Sequence, residues 1–183
     1  MIFPMYTVAA EVVLKMTKVE AHEVLKARND LVVFARELGK AAFVSHQWVA
    51  VQHPDPEFQQ MRVLQAALRR LMRGQGVVPL DYVTETVTTA KPLPMKEFQT
   101  SLFLWYDYFS IPQQEVREAY AADESDGSQQ AKAINSIPGY VAKCRFFLVL
   151  CPFLESGSGA HVLSALTWSR RGGTRTLGHV RNA

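Results

Sequence analysis

Apolar residues gather into three short runs, each closed by polar or turn-forming residues. The runs are Ala41–Val44, Leu102–Phe109 and Arg145–Cys151. Runs of this length, rich in aromatic and β-branched residues, predict strands covered on both faces. A helical period fills much of the rest. Over residues 17–38, Leu25, Leu31, Phe34, Ala35 and Leu38 share one face, predicting an amphipathic helix closed by Gly39. Asp55 before Pro56 predicts a second helix start, a capping carboxylate followed by proline at the first helical position. That helix runs to about Arg73, with Phe58, Met61, Leu64, Leu68 and Leu71 on its apolar face. Arg69, Arg70 and Arg73 lie where the helix dipole favours cations, and Gly74 and Gly76 end it.

The β-branched run Val83–Thr89 predicts a further strand, followed by an irregular connection over Thr88–Pro94. Gln113–Ala122 and Gln129–Lys143 read as helices separated by a solvated loop, Asp123–Ser128. Pro138-Gly139 should break the later one. Glu155–Gly159 reads as another loop, leading to a short segment ending at Trp168. Buried strands alternating with helices imply an α/β fold: a mostly parallel sheet with helices on both faces. Three regions follow: an N-terminal helical segment (1–39), an α/β domain (40–168) and a basic, disordered tail (169–183).

Composition narrows the picture. With 183 residues, 48% of them hydrophobic and 20% charged, the chain suits one globular core and excludes global disorder. The net charge of +3 is local: Arg170, Arg171, Arg175 and Arg181 lie in the tail without an acid, and the remainder is close to neutral. The body therefore has no basic footprint for nucleic acid. Cys144 and Cys151 form no C-x-x-C pair and read as buried thiols of a reducing, cytoplasmic compartment. The apolar run Phe146–Leu154 is far short of the ~20 residues that span a membrane. The first residues lack the positive region of a signal peptide.

Open α/β sheets bind ligands beyond the carboxyl ends of their strands. Ser45, His46 and Trp48 follow the first buried strand; Asp107, Ser110 and Gln113 follow the second. Ser45 and His46 are adjacent, so their side chains point to opposite faces and do not form a nucleophile–base pair. His46 and Trp48 have two readings: a histidine bonded to backbone beside a packed tryptophan, or one wall of a ligand cleft. His46, His53 and Asp55 lack the spacing of a metal motif, and the helix start explains Asp55. Asp107 interrupts an aromatic strand. It either orders the following loop through backbone N–H groups or contacts a ligand at the sheet edge. No Gly-rich phosphate loop is present. Trp105, Tyr106, Tyr108 and Phe109 alternate between faces, which favours core packing over base stacking.

Phe43–Trp48 (FVSHQW), the HPDP helix start, Leu102–Gln114 (LFLWYDYFSIPQQ) and Ala133–Pro152 occur in an order that resembles TIR-like domains. The order is also similar to the heterokaryon-incompatibility (HET) domain. The resemblance spans about residues 40–170. Its matching positions are Ser45, Trp48, Trp105, Asp107, Gln113 and Ile137 through Pro152. It implies a flavodoxin-like three-layer fold and one of two activities. One is signalling through self-association or a protein partner. The other is cleavage of NAD at the nicotinamide–ribose bond by a glutamate in a Trp-Cys-x-x-Glu segment, through an oxocarbenium-like state. Here Trp168-Ser169-Arg170-Arg171-Gly172 leads to no Trp-Cys and no glutamate, and the usual last helix has no counterpart.

The expectation is therefore a TIR/HET-like signalling module working by protein association without efficient catalysis. No catalytic residue or metal site is assigned, and no cofactor is required. Ser45, His46, Trp48, Trp105, Asp107 and Gln113 are the candidate ligand contacts. An NAD-cleaving hydrolase with NAD as substrate, and a truncated fragment without activity, are the alternatives.

Overall fold

A computed structural model of the chain describes residues 2–80, 82–87, 89, 91–113 and 128–150. In chain order the elements are β1 (Tyr6–Ala9), α1 (Ala10–Val13), α2 (His22–Ala27), β2 (Leu31–Val33) and β3 (Lys40–Ser45). Then come α3 (Gln59–Met72), β4 (Val77–Val78), α4 (Tyr82–Val87), β5 (Leu93–Pro94) and β6 (Leu102–Tyr106). Last are α5 (Asp107–Ser110), α6 (Gln129–Asn135), α7 (Ile137–Lys143) and β7 (Phe146–Val149). Single 3-10 turns lie at Arg36–Leu38 and Met95–Phe98.

Five strands form one sheet in the order β2-β1-β6-β3-β7. β3 pairs in parallel with both β6 and β7, whereas β1 runs antiparallel to β6 and to β2. The sheet is thus mixed and mostly parallel. Alternation along each strand splits the core in two. Ala42, Val44, Leu104, Tyr106, Phe146 and Leu148 face one cluster, packed under Met61, Leu64, Leu68 and Leu71 of α3. Phe43 and Trp105 face the other, with Ala133 of α6 and Tyr140 of α7. On that side Phe43 stacks on Trp105 at 4.3 Å and on Phe147 at 5.2 Å, joining the three parallel strands through one ring. Among the described residues no helix is long and apolar enough to cross a membrane.

The three buried runs are strands, though two are shorter than expected: β6 ends at Tyr106, where Asp107 opens a helical turn, and β7 covers Phe146–Val149. The amphipathic helix over 17–38 is not formed. Only His22–Ala27 is helical, Asn29 turns through the left-handed region (φ 61°), and Leu31–Val33 pairs with β1. Leu31 and Phe34 satisfy either period, and the antiparallel partner Tyr6–Val8 decides between them. Residues 1–39 thus contribute two strands to the same sheet instead of a helical segment beside it. Gly39 closes the short 3-10 turn Arg36–Leu38 and not a long helix, its amide donating to Arg36 O at 3.3 Å. Its bare α-carbon (φ 146°) lies against the Ser101 backbone, letting the Lys40 amide donate to Ser101 O at 2.9 Å.

The predicted strand at Val83–Thr89 is also corrected: Tyr82–Val87 is helical, since β-branched residues hold a strand only where a partner is at hand. Helix α3 begins at Gln59, later than Asp55-Pro56 predicts. A turn brings Phe58 N–H to Asp55 O at 3.1 Å, and the Asp55 carboxylate reaches forward to the Gln59 and Met61 amides, both at 2.8 Å. The break in Gln129–Lys143 falls at Ser136, with Pro138 inside the first turn of α7, where its missing N–H costs nothing. The helix predicted over Gln113–Ala122, the loops at Asp123–Ser128 and Glu155–Gly159, Trp168 and the tail fall wholly or largely outside the described residues. Cys144 is half-buried, and burial pushes its thiol up to about 12.

Two predictions follow from this packing. Leu64 is fully buried under the sheet, so Leu64→Ala should lower unfolding stability by about 2–5 kcal/mol in urea titration. His22 is buried, and its Nδ1–H donates to Phe109 O at 3.2 Å; burial holds its pKa below the ordinary 6.5. Between the lowered folded value and 6.5 the unfolded chain binds more protons. This contribution is therefore full above 6.5 and falls away as pH drops through that window. The urea midpoint should decline on acidification, and less steeply in His22→Gln.

Candidate functional site

β3 and β6 are parallel neighbours that end at the same edge of the sheet. After β3 the chain leads to α3, packed on the first cluster; after β6 it turns through α5, whose Phe109 joins that cluster while Ile111, just past it, joins the second. The carboxyl ends of such adjacent parallel strands frame the crevice where open α/β sheets place ligands. His46, Trp48 and Asp107 meet there.

Asp107 is the centre of the arrangement. His46 Nε2–H donates to its Oδ1 and Trp48 Nε1–H to its Oδ2, both at 2.8 Å. The Tyr108 amide donates to Oδ1 at 2.6 Å. Of the two readings of Asp107, the ordering of the following loop is seen directly. A third of the Asp107 side chain remains exposed. Each carboxylate oxygen accepts about two hydrogen bonds. Oδ1 has two donors among the described residues and Oδ2 has one, leaving an acceptor position on Oδ2 for a hydroxyl or N–H from outside.

Among the described residues the His46 side chain has no backbone partner. Its ring is 1% exposed and stacks on Tyr106 at 3.9 Å with an interplanar angle of 8°. Because a carboxylate only accepts, Nε2 carries the proton, and the buried Nδ1 has no partner among the described residues. The Tyr106 hydroxyl is likewise buried without one. Burial, with the Asp107 and Asp55 carboxylates nearby, raises its pKa far above the ordinary value, so this ring remains neutral. Trp48 is 39% exposed and meets the Tyr108 ring edge-on at 5.7 Å. His53 packs against the same ring at 4.9 Å.

The remaining predicted residues divide. Ser45 ends β3 beside the crevice, and its carbonyl accepts the Leu150 amide at 2.8 Å. Trp105 lies apart from these residues: it is 2% exposed on the opposite face, between Phe43 and Tyr140. Alternation separates it from Tyr106 and Asp107. Gln113 makes other contacts, its amide donating to Glu23 Oε1 at 2.7 Å and its side chain to Ile111 O at 2.8 Å. His53 is committed elsewhere as well. Nε2–H donates to Val19 O at 3.1 Å, and Nδ1 accepts the Asp55 amide at 3.0 Å, leaving no lone pair for a metal. Asp55 is spent on the start of α3, its carboxylate accepting the Gln59 and Met61 amides, although Phe58 and not Asp55 is the residue before the first helical position.

Two supports escaped the sequence reading. Tyr106 backs the His46 ring. Gln60, buried in the first turn of α3, donates to Gln47 O at 2.8 Å and Pro54 O at 3.3 Å, holding the loop that carries His46 and Trp48. The only signal for Gln60 was its position on the face shared with Leu64 and Leu68, where a polar residue must find buried partners.

No family model, no curated protein and no solved structure matches this chain.

Removing the carboxylate tests this geometry. Asp107→Ala leaves three donors without their acceptor and should cost about 1–3 kcal/mol in urea unfolding, whereas Asp107→Asn keeps one oxygen and costs less. Trp48 fluorescence should change in Asp107→Ala as its indole N–H turns to water.

Proposed function

We propose that this chain is a TIR/HET-like signalling module that binds a ribose-bearing nucleotide, with NAD the specific candidate, above β3 and β6. Its output is association with a second copy or a protein partner. The observation that carries the reading is the Asp107 carboxylate, held by His46 and Trp48 at the crevice, with one acceptor position on Oδ2 turned outward. A ribose hydroxyl is a donor of the right kind for that position. The exposed Trp48 ring beside Tyr108 offers an aromatic surface for a base or a nicotinamide ring. The order of the FVSHQW, HPDP and LFLWYDYFSIPQQ segments agrees with this reading.

Binding without efficient turnover fits the same geometry. Cleavage at the ribose needs a carboxylate free to meet developing positive charge. Asp107 already answers to three donors, and the residues after Trp168 include no acid.

The test is a titration of the folded chain with NAD, read at Trp48 fluorescence, in parallel with light scattering over a dilution series. Saturable binding should appear and weaken about tenfold or more in Asp107→Asn, the loss of one charged hydrogen bond. Nucleotide should also shift the scattering mass upward. No saturation sinks the nucleotide reading, and a monomer at every concentration, with no partner captured, sinks the association reading. Nicotinamide release should match the buffer blank. Release above it, lost in Asp107→Asn, would favour the hydrolase instead, with Asp107 as the carboxylate at the ribose.

A further inference from the structure

The opposite edge of the sheet carries a second feature. Where β3 and β7 begin, the fold leaves a pocket of about 270 Å³. Its lining includes Arg36, Lys40, Lys143 and Arg145, with Phe34 and Cys144 among the apolar contributors and no acidic residue. Four cations around one small pocket are conspicuous in a body whose charges otherwise nearly cancel.

One acid lies close behind. Glu97 Oε2 accepts from Lys40 Nζ at 2.9 Å and sits 3.4 Å from Arg145 Nη2, and both cations lower its pKa. Arg36 and Lys143 have no ion pair among the described residues. The last turn of α7 presents carbonyl groups near Lys143, and those oppose an anion. Lys143 offsets them, and the remaining charge is still positive. Like charges gathered in a concave, partly apolar setting focus a field that attracts a counter-ion. Arg36 and Arg145 add planar donor forks suited to phosphate oxygens. The Cys144 thiol, shielded by burial, serves as an apolar wall and not as a nucleophile.

We infer that this pocket binds a phosphate-bearing small molecule, held by Arg36, Lys40, Lys143 and Arg145. The site is separate from the Asp107 crevice. The two lie at opposite ends of β3, six residues long, or roughly 20 Å apart at the usual rise per residue. The pocket volume accommodates a diphosphate or a phosphorylated sugar.

Isothermal calorimetry of the full chain with inorganic pyrophosphate tests the inference. One saturable site is expected, weakened about tenfold or more in Arg36→Gln and in Lys143→Gln. Lys15→Gln makes the same charge change at an exposed position away from the pocket, and should leave the affinity as it was. Arg36 and Lys143 hold no ion pair in the fold, so both variants should fold, as circular dichroism can verify. A nucleoside diphosphate binding more tightly than pyrophosphate would mark a nucleotide as the ligand; equal affinity would mark the diphosphate alone. Absence of a saturable site, equal affinity in both pocket variants, or an equal loss in Lys15→Gln overturns the proposal. None of these results depends on NAD binding read at Trp48.

Discussion

The parallel pairing of β3 with β6 and β7 is the constraint on which the rest of the molecule depends. Phe43 lies at the centre of that pairing, flat against Trp105 on one side and Phe147 on the other. The register that sets these three rings opposite one another also sets Val44 opposite Tyr106. His46 and Asp107 therefore emerge at the same level, one residue or two past the paired strands, within hydrogen-bond reach. A slip of one residue would turn both side chains to the wrong face and bury a carboxylate among aromatics. Strand register and site geometry are one property here, fixed by ring stacking below and by a charge that must be met above.

Much of this was legible in the sequence, for reasons particular residues make plain. Ala41–Val44 and Arg145–Cys151 announce themselves because strands covered on both faces tolerate no polar residue. Asp107 stood out because it breaks such a run, and His46 and Trp48 because they follow one. The misreadings share a cause. Residues 17–38 and Val83–Thr89 are short segments whose local pattern suits two structures, and the choice falls to partners elsewhere in the chain: β1 for the first, and for the second the lack of a strand partner among the described residues. Trp105 entered the candidate set through the resemblance although alternation along the strand favoured the core, and the pleat does send it to the face opposite Tyr106. Gln60 and Tyr106 went unnoticed because their roles lie in what they hold.

The two ends of β3 also differ in electrostatic character. The carboxyl end gathers acids, Asp107 and Asp55, beside histidine and tryptophan donors. The amino end gathers cations around Glu97. Near neutrality of the whole body conceals this polarity, because the opposing groups are distributed by strand direction and not by position in the sequence. Parallel strands make such separation natural, since residues entering and leaving them always fall on opposite edges.

Ser136 has a consequence for how the chain comes to be made. Its hydroxyl accepts the amides of Ile2 and Phe3, and the Tyr140 hydroxyl donates to Phe3 O and lies within reach of Pro4 O. The first of these bonds spans 134 positions. During synthesis Ile2 and Phe3 leave the ribosome on the order of ten seconds before the residues that will fasten them. β1 waits nearly as long for β6, its edge open to other strands throughout. β1 is thus made well before the residues that secure it, and its exposure is longest where protein synthesis is slowest.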